Sequence, residues 1–217
     1  MPNSHSDLLP RLVGTRDALH GMNPYSPRVL RDIQTAYYGR PLTAGDDVDP
    51  QYFLYPAVIV PVLAPFTKLS WDVVRPGFIV TIFVALAAST LIWIKLLHLQ
   101  WPGNLCVAAI GFSVFNIPAM WGLRLQQPSL VIVVLMAGIC GLLANGQEVL
   151  SGLCLPLLLV KPQISLPLTL WLLAWMVVHR SWRGLVTFLL SLGVLAHGDG
   201  ANRPRLVSGV VASLSRI

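Results

Sequence analysis

The sequence predicts an all-α protein, a polytopic bundle of transmembrane helices preceded by a polar N-terminal arm. Three observations lead there. Of the 217 residues 55% are hydrophobic and only 11% charged, too little charge to cover a soluble domain of this size. The carboxylates are segregated: Asp7, Asp17, Asp32, Asp46, Asp47 and Asp49, six of the nine acids, lie in the first fifty residues. Between Gln51 and Ala196 only Asp72 and Glu148 remain, as expected where each ionised group costs about 2.5–3.5 kcal/mol on insertion into hydrocarbon. Finally, apolar runs of spanning or near-spanning length follow one another from Tyr52 to Ala196.

Three regions follow: a polar arm over 1–50, a transmembrane helical domain over 51–197, and a polar stretch over 198–217 that reads either as a tail or as the place where a longer reading frame was cut. In the arm, Gly21 to Pro27 is turn chemistry. Arg28 to Tyr38 reads as a short amphipathic helix ended by Gly39 and Pro41, and Ala44 to Pro50 as a flexible acidic loop. The first apolar segment, Tyr52 to Leu69, carries Pro56, Pro61 and Pro65, which points to a broken or re-entrant segment. Gly77 to Leu97 has the roughly 20 residues that a 30 Å core requires. Leu105 to Leu123, with Trp101 and Trp121 near its ends as interfacial anchors, is the next expected span, then Ser129 to Ala144. Val149–Val160 and Ile164–Val178 are split by Lys161-Pro162-Gln163, and Gly184 to Ala196 is a last, short run.

The net charge of +6 does not imply nucleic acid. No basic run with interleaved aromatics occurs, and the cations stand singly at the ends of apolar segments, where they snorkel and orient the chain. Cys106, Cys140 and Cys154 all sit in apolar sequence without ligands at metal spacing, so they read as packing residues. His179 to Arg183 is the most basic short loop and is expected in the cytoplasm. Walking back places Lys161 and Gln127 outside, and the arm as well if Tyr52–Leu69 is re-entrant. Met1 to Arg11 lacks the apolar core of a signal peptide, so an external arm implies an upstream segment.

The arm resembles bacterial members of glycosyltransferase family 87, in the GT-C superfamily of polytopic transferases. The matching strings are Ser6-Asp7-Leu8-Leu9-Pro10-Arg11, Gly14-Thr15-Arg16, His20-Gly21 and Asn23-Pro24-Tyr25-Ser26-Pro27. They continue through Arg31-Asp32-Ile33-Gln34 and Tyr37-Tyr38-Gly39-Arg40 to Phe53-Leu54-Tyr55-Pro56, with Gln127-Pro128-Ser129 and Lys161-Pro162-Gln163 further on. The similarity spans roughly residues 6 to 196. It implies an incomplete GT-C-like fold, with a helix expected before Ser6 and more after the last one here. It also implies a lipid bilayer, a polyprenyl-phosphate-linked sugar donor, and a glycan or glycolipid acceptor whose hydroxyl receives the sugar with inversion at the outer membrane face. Divalent metal is compatible with such chemistry, but no metal ligands stand out here.

A transfer of that kind needs a carboxylate to take the acceptor's proton and cations to meet the departing phosphate. The resemblance puts Asp7 at the family's acidic position and makes it the candidate base; the alternative is a helix cap at Leu8, with Pro10 in the first turn. Asp17 is the reserve, otherwise a solvated residue of a helix over Thr15 to Leu19. Lys161, amid apolar sequence, is a donor-phosphate contact or a snorkelling helix end. Arg11 and Arg16 meet phosphate or lie on a solvated helix, and Gln127 binds a ligand or caps its helix. Two other functions stay open: a small transporter, for which Pro-broken helices and Lys161 would mark a substrate path, and an inactive remnant.

Overall fold

The computed structural model describes residues 6–56 and 58–197; the expected tail over 198–217 lies outside them. Among the described residues every regular element is helical. The chain divides into two units, one within Met1–Val74 and one over Arg75–Ala196.

In the first unit α1 (Leu8–Leu19) packs against α2 (Pro27–Tyr38), α3 (Ile59–Leu63) and the 3₁₀ turn Ala64–Lys68. The arm is therefore not an extended polar leader. From Leu8 to Thr15 every α1 residue is buried, because three neighbours surround it. Gly14 permits that packing: a Cβ there would collide with the Phe53 ring. The helix α2 follows its expected bounds for readable reasons. Ser26 accepts from the Val29 N–H at 3.4 Å, Pro27 supplies a preset φ at N1, and Gly39 ends it with φ 81°. Val29, Ile33 and Tyr37 are buried at four-residue spacing.

The acidic loop is pinned, contrary to expectation. Asp46 accepts from Arg40 at 2.8 and 2.5 Å and from the Thr43 N–H at 2.7 Å, and these bonds hold its carboxyl well below the usual carboxylate range. Gln34 adds a two-sided clamp, donating to the Pro50 carbonyl at 3.2 Å and accepting from the Leu42 N–H at 3.0 Å.

The second unit opens along α4 (Trp71–Leu96), a 26-residue helix that is long and apolar enough to cross a membrane. The next expected span is broken: α5 (Gly103–Phe115) and α6 (Ile117–Arg124) meet at 54°. Asn116 causes the break. Its backbone is extended, its side chain accepts from the Ala119 N–H at 2.9 Å, and Pro118 offers no N–H to the preceding helix. Ile82 and Leu86 of α4 form one core with Val114, Ala119 and Leu123. Then come α7 (Ser129–Ala144), α8 (Glu148–Cys154) and the 3₁₀ turn Leu155–Val160, which pack back along α7. The chain returns through α9 (Pro162–Val178) and leaves along α10 (Trp182–His197). These later helices are apolar but shorter than a full span.

Candidate active site

Asp7 occupies the N-cap position of α1 but does not cap it; its side chain accepts no cap hydrogen bond. Ser6 does that work, accepting from the Leu8 and Leu9 N–H groups at 3.2 and 3.4 Å. The Asp7 carboxylate is thereby left half-buried with one close cation, Arg11, 3.9 Å away and one turn along the helix. The Arg11 guanidinium in turn lies over the Tyr55 ring, 4.8 Å from its centroid.

The environment of this pair is unusual for a solvated helix, which the sequence allowed for Arg11. That residue is 9% exposed and its Nε is buried with no hydrogen-bond partner. Thr15, one further turn on, is fully buried and its hydroxyl is equally unpartnered. Asp7, Arg11 and Thr15 thus form a polar stripe at four-residue spacing along one face of the helix. Two of its three members carry buried polar atoms that lack a partner, a condition that costs about 1–3 kcal/mol per group and calls for an explanation. Tyr55 closes the stripe from a different segment; burial pushes its hydroxyl pKa up, with Arg11 opposing and Asp7 adding. Tyr25 fixes that segment by donating to the Tyr55 carbonyl at 2.6 Å.

Arg16 and Asp17 are placed differently. Arg16 is exposed and donates to the Thr67 carbonyl at 3.1 Å, tying α1 to the 3₁₀ turn. Asp17, expected on a solvated face, is 9% exposed with Oδ2 unpartnered. Burial pushes its pKa up and Asp32 adds to that, against Arg16, His20 and Arg28.

The other two candidates belong to the second unit. Lys161 is half-buried at the junction of the 3₁₀ turn and α9, where its carbonyl accepts from the Ser165 hydroxyl at 3.1 Å. Gln127 precedes α7 and accepts from the Ser129 hydroxyl at 3.3 Å. Its neighbour Gln126 is no site candidate on sequence alone. Gln126 is 1% exposed, holds φ 51° and has an unpartnered Oε1. Among the described residues no group of three or more His, Cys, Asp or Glu converges as a metal site.

The family model for glycosyltransferase family 87 matches residues 53–201, most of the chain. The chain belongs to glycosyltransferase family 87. No curated protein and no solved structure matches it. The matched stretch of this family 87 chain includes Tyr55, Gln127 and Lys161, whereas Asp7, Arg11 and Arg16 precede it. The family makes sugar donors and acceptors the general class of substrate.

Proposed function

We propose that this family 87 chain moves a hexose or pentose from a polyprenyl-phosphate donor to an acceptor hydroxyl of a glycan or glycolipid, with inversion. In this reading the helices of the second unit lie in a bilayer and the arm faces outside. Asp7 takes the acceptor's proton as the oxygen attacks the anomeric carbon, and the polyprenyl phosphate leaves from the opposite face. Lys161 neutralises the phosphate and Gln127 hydrogen-bonds the bound sugar.

One observation carries the assignment of Asp7: it is a half-buried carboxylate that leaves the capping to Ser6 and is held by Arg11 beside unpartnered buried donors. An arginine so placed holds the carboxylate in position, which a base needs before the acceptor arrives. Asp46 is a poor alternative because Arg40 and Thr43 already occupy its oxygens.

The test is Asp7→Asn, assayed with a polyprenyl-phosphate sugar and a membrane-impermeant acceptor in sealed vesicles of both orientations. Transfer by the unaltered chain is expected only when the outer face is accessible, and the variant should lose about two orders of magnitude or more. Melting should fall to some degree, since Arg11 is buried and loses its carboxylate partner, so transfer is compared at a temperature well below both melting points. Near-normal turnover in the variant would remove Asp7 from the reaction and leave Asp17 as the next carboxyl to try.

A further inference from the structure

In the second unit the α7–α8 turn and the α9–α10 turn face each other across a cavity of about 590 Å³, lined by Gly146, Glu148, Arg180, Trp182 and Arg183 among others. The two turns have the same backbone. Gly146 donates to Leu143 at 3.0 Å and Gln147 to Leu142 at 2.8 Å; Arg180 donates to Val177 at 3.1 Å and Ser181 to Met176 at 2.8 Å. Each is a helix ending whose next residue is left-handed, a place that favours glycine. Gly146 fills it with φ 71° at no cost, but Arg180 holds φ 54°, a strained conformation for a residue with a Cβ. Strain of this kind clusters at functional sites, so the surroundings of Arg180 are the place to look for one.

The charges lining the cavity are not consumed internally. Among the described residues neither Arg180 nor Arg183 has a carboxylate within ion-pair distance, although Glu148 lines the same space. Two guanidinium groups and one carboxylate, held apart, present a cationic pair and a separate anionic point. Trp182, 59% exposed, adds an amphipathic ring of the sort that sits at headgroup level.

We propose that this cavity binds a zwitterionic phospholipid headgroup, its phosphodiester between Arg180 and Arg183 and its primary ammonium on Glu148. The volume lies within the range of small-molecule sites, and guanidinium groups match phosphate oxygens in geometry as well as charge. A purely anionic headgroup would leave Glu148 unpaired, and a quaternary ammonium has no N–H to give it. The proposal rests on the second unit lying in a bilayer and not on the transfer chemistry.

The experiment uses the full chain in nanodiscs made of equal parts phosphatidylethanolamine, phosphatidylcholine and phosphatidylglycerol, with retained lipid counted by native mass spectrometry after release into mild detergent. Phosphatidylethanolamine should be enriched about tenfold over the other two. Arg183→Gln and Arg180→Gly should each lower the number of lipids retained per chain and abolish the enrichment, whereas Glu148→Gln should leave that number unchanged and erase only the advantage of phosphatidylethanolamine over phosphatidylglycerol and phosphatidylcholine. Arg180→Gly should also raise the melting temperature in detergent by about 2–4 °C, because glycine relieves the turn; lost lipid from a more stable protein cannot be ascribed to misfolding. Equal retention of the three lipids, or enrichment that survives both arginine variants, would overturn the proposal. So would a rise in melting with inorganic phosphate equal to that with the lipid, which would assign the site to a soluble phosphate. Release of the chain from membranes by alkaline carbonate alone would instead overturn its membrane residence, an outcome separate from failed enrichment in a chain that needs detergent.

Discussion

Replacing Gly152 by alanine places a methyl group where α8 meets α10, and the structure sets the size of the penalty. The new Cβ would fall on the Thr187 hydroxyl and on the Gly184 carbonyl oxygen. Thr187 is committed to the Arg183 and Gly184 carbonyls at 2.9 and 3.0 Å, so rotating it away sacrifices those bonds. The Gly184 oxygen is backbone and moves only with α10. That movement would also stretch the bond from the Ser191 hydroxyl to the Gly152 carbonyl, already 3.3 Å long. Overpacking by a methyl group costs about 1–3 kcal/mol and a weakened hydrogen bond up to about 1 kcal/mol. Alanine's better helix propensity returns about 0.5–1 kcal/mol.

These terms leave a net loss of up to about 3.5 kcal/mol, and the two severe overlaps put Gly152→Ala in the upper half of that range, a fall in melting temperature of roughly 4–14 °C for a chain of this size. The assay is thermal unfolding in one detergent, with Gly138→Ala as the internal control. Gly138 lies inside α7 with nothing within 4 Å of where a Cβ would sit, so its alanine variant should gain about 0.5–1 kcal/mol. The two substitutions are chemically identical and sit in neighbouring helices, so opposite signs isolate the crossing. A Gly152→Ala variant that melts at or above the unaltered chain, in step with Gly138→Ala, would refute the close α8–α10 approach.

Two further outcomes are expected. The raised pKa of Asp17 means the folded state holds its proton more tightly than the unfolded chain does, so its contribution is fully present below pH 3.8 and is lost as pH rises through the folded-state value. Asp17→Asn should flatten that part of the stability profile and raise stability at pH 7, measured by melting across pH; an unchanged profile would mean Asp17 is solvated. Lys161→Met, in this chain or an active family 87 relative, should abolish transfer while leaving the melting curve in place, and unchanged turnover would return Lys161 to the part of a snorkelling helix end.

Much of the fold was legible because hydrophobic length and turn chemistry are local properties. The bounds of α2 follow from Ser26, Pro27 and Gly39, three residues whose backbone preferences act within one turn. The start of α9 follows from Pro162 in the same way. The break at Asn116 was harder, since an uninterrupted apolar run reads as one helix until the Asn–Pro pair two residues apart is recognised as a new start. The polarity of the arm misled in the opposite sense. Composition placed Arg11 and Asp17 on a solvated face, yet Leu8, Leu12, Val29, Ile33, Phe53 and Ile59 supply enough apolar surface to bury α1 nearly all round.

Tertiary placement explains what the sequence reading missed at the site. The stripe Asp7, Arg11, Thr15 was present as a spacing of four, but its meaning depends on Tyr55, forty-four positions downstream of Arg11, arriving over the guanidinium. No local rule brings Tyr55 there; the Tyr25 hydroxyl does, by holding the Tyr55 carbonyl. Gln126 and Arg180 illustrate a second kind of silence. Both occupy left-handed helix endings that sequence rules reserve for glycine, so the pattern that locates Gly21, Gly39 and Gly146 passes over them. Three helix endings in the second unit, at His98, Gln126 and Arg180, carry polar side chains in this conformation, and in each the backbone accepts strain that a glycine would remove. At Gln126 the side chain offsets part of that cost, its Nε2 donating to the Leu123 and Arg124 carbonyls at 3.3 and 2.5 Å, two bonds that a glycine would give up.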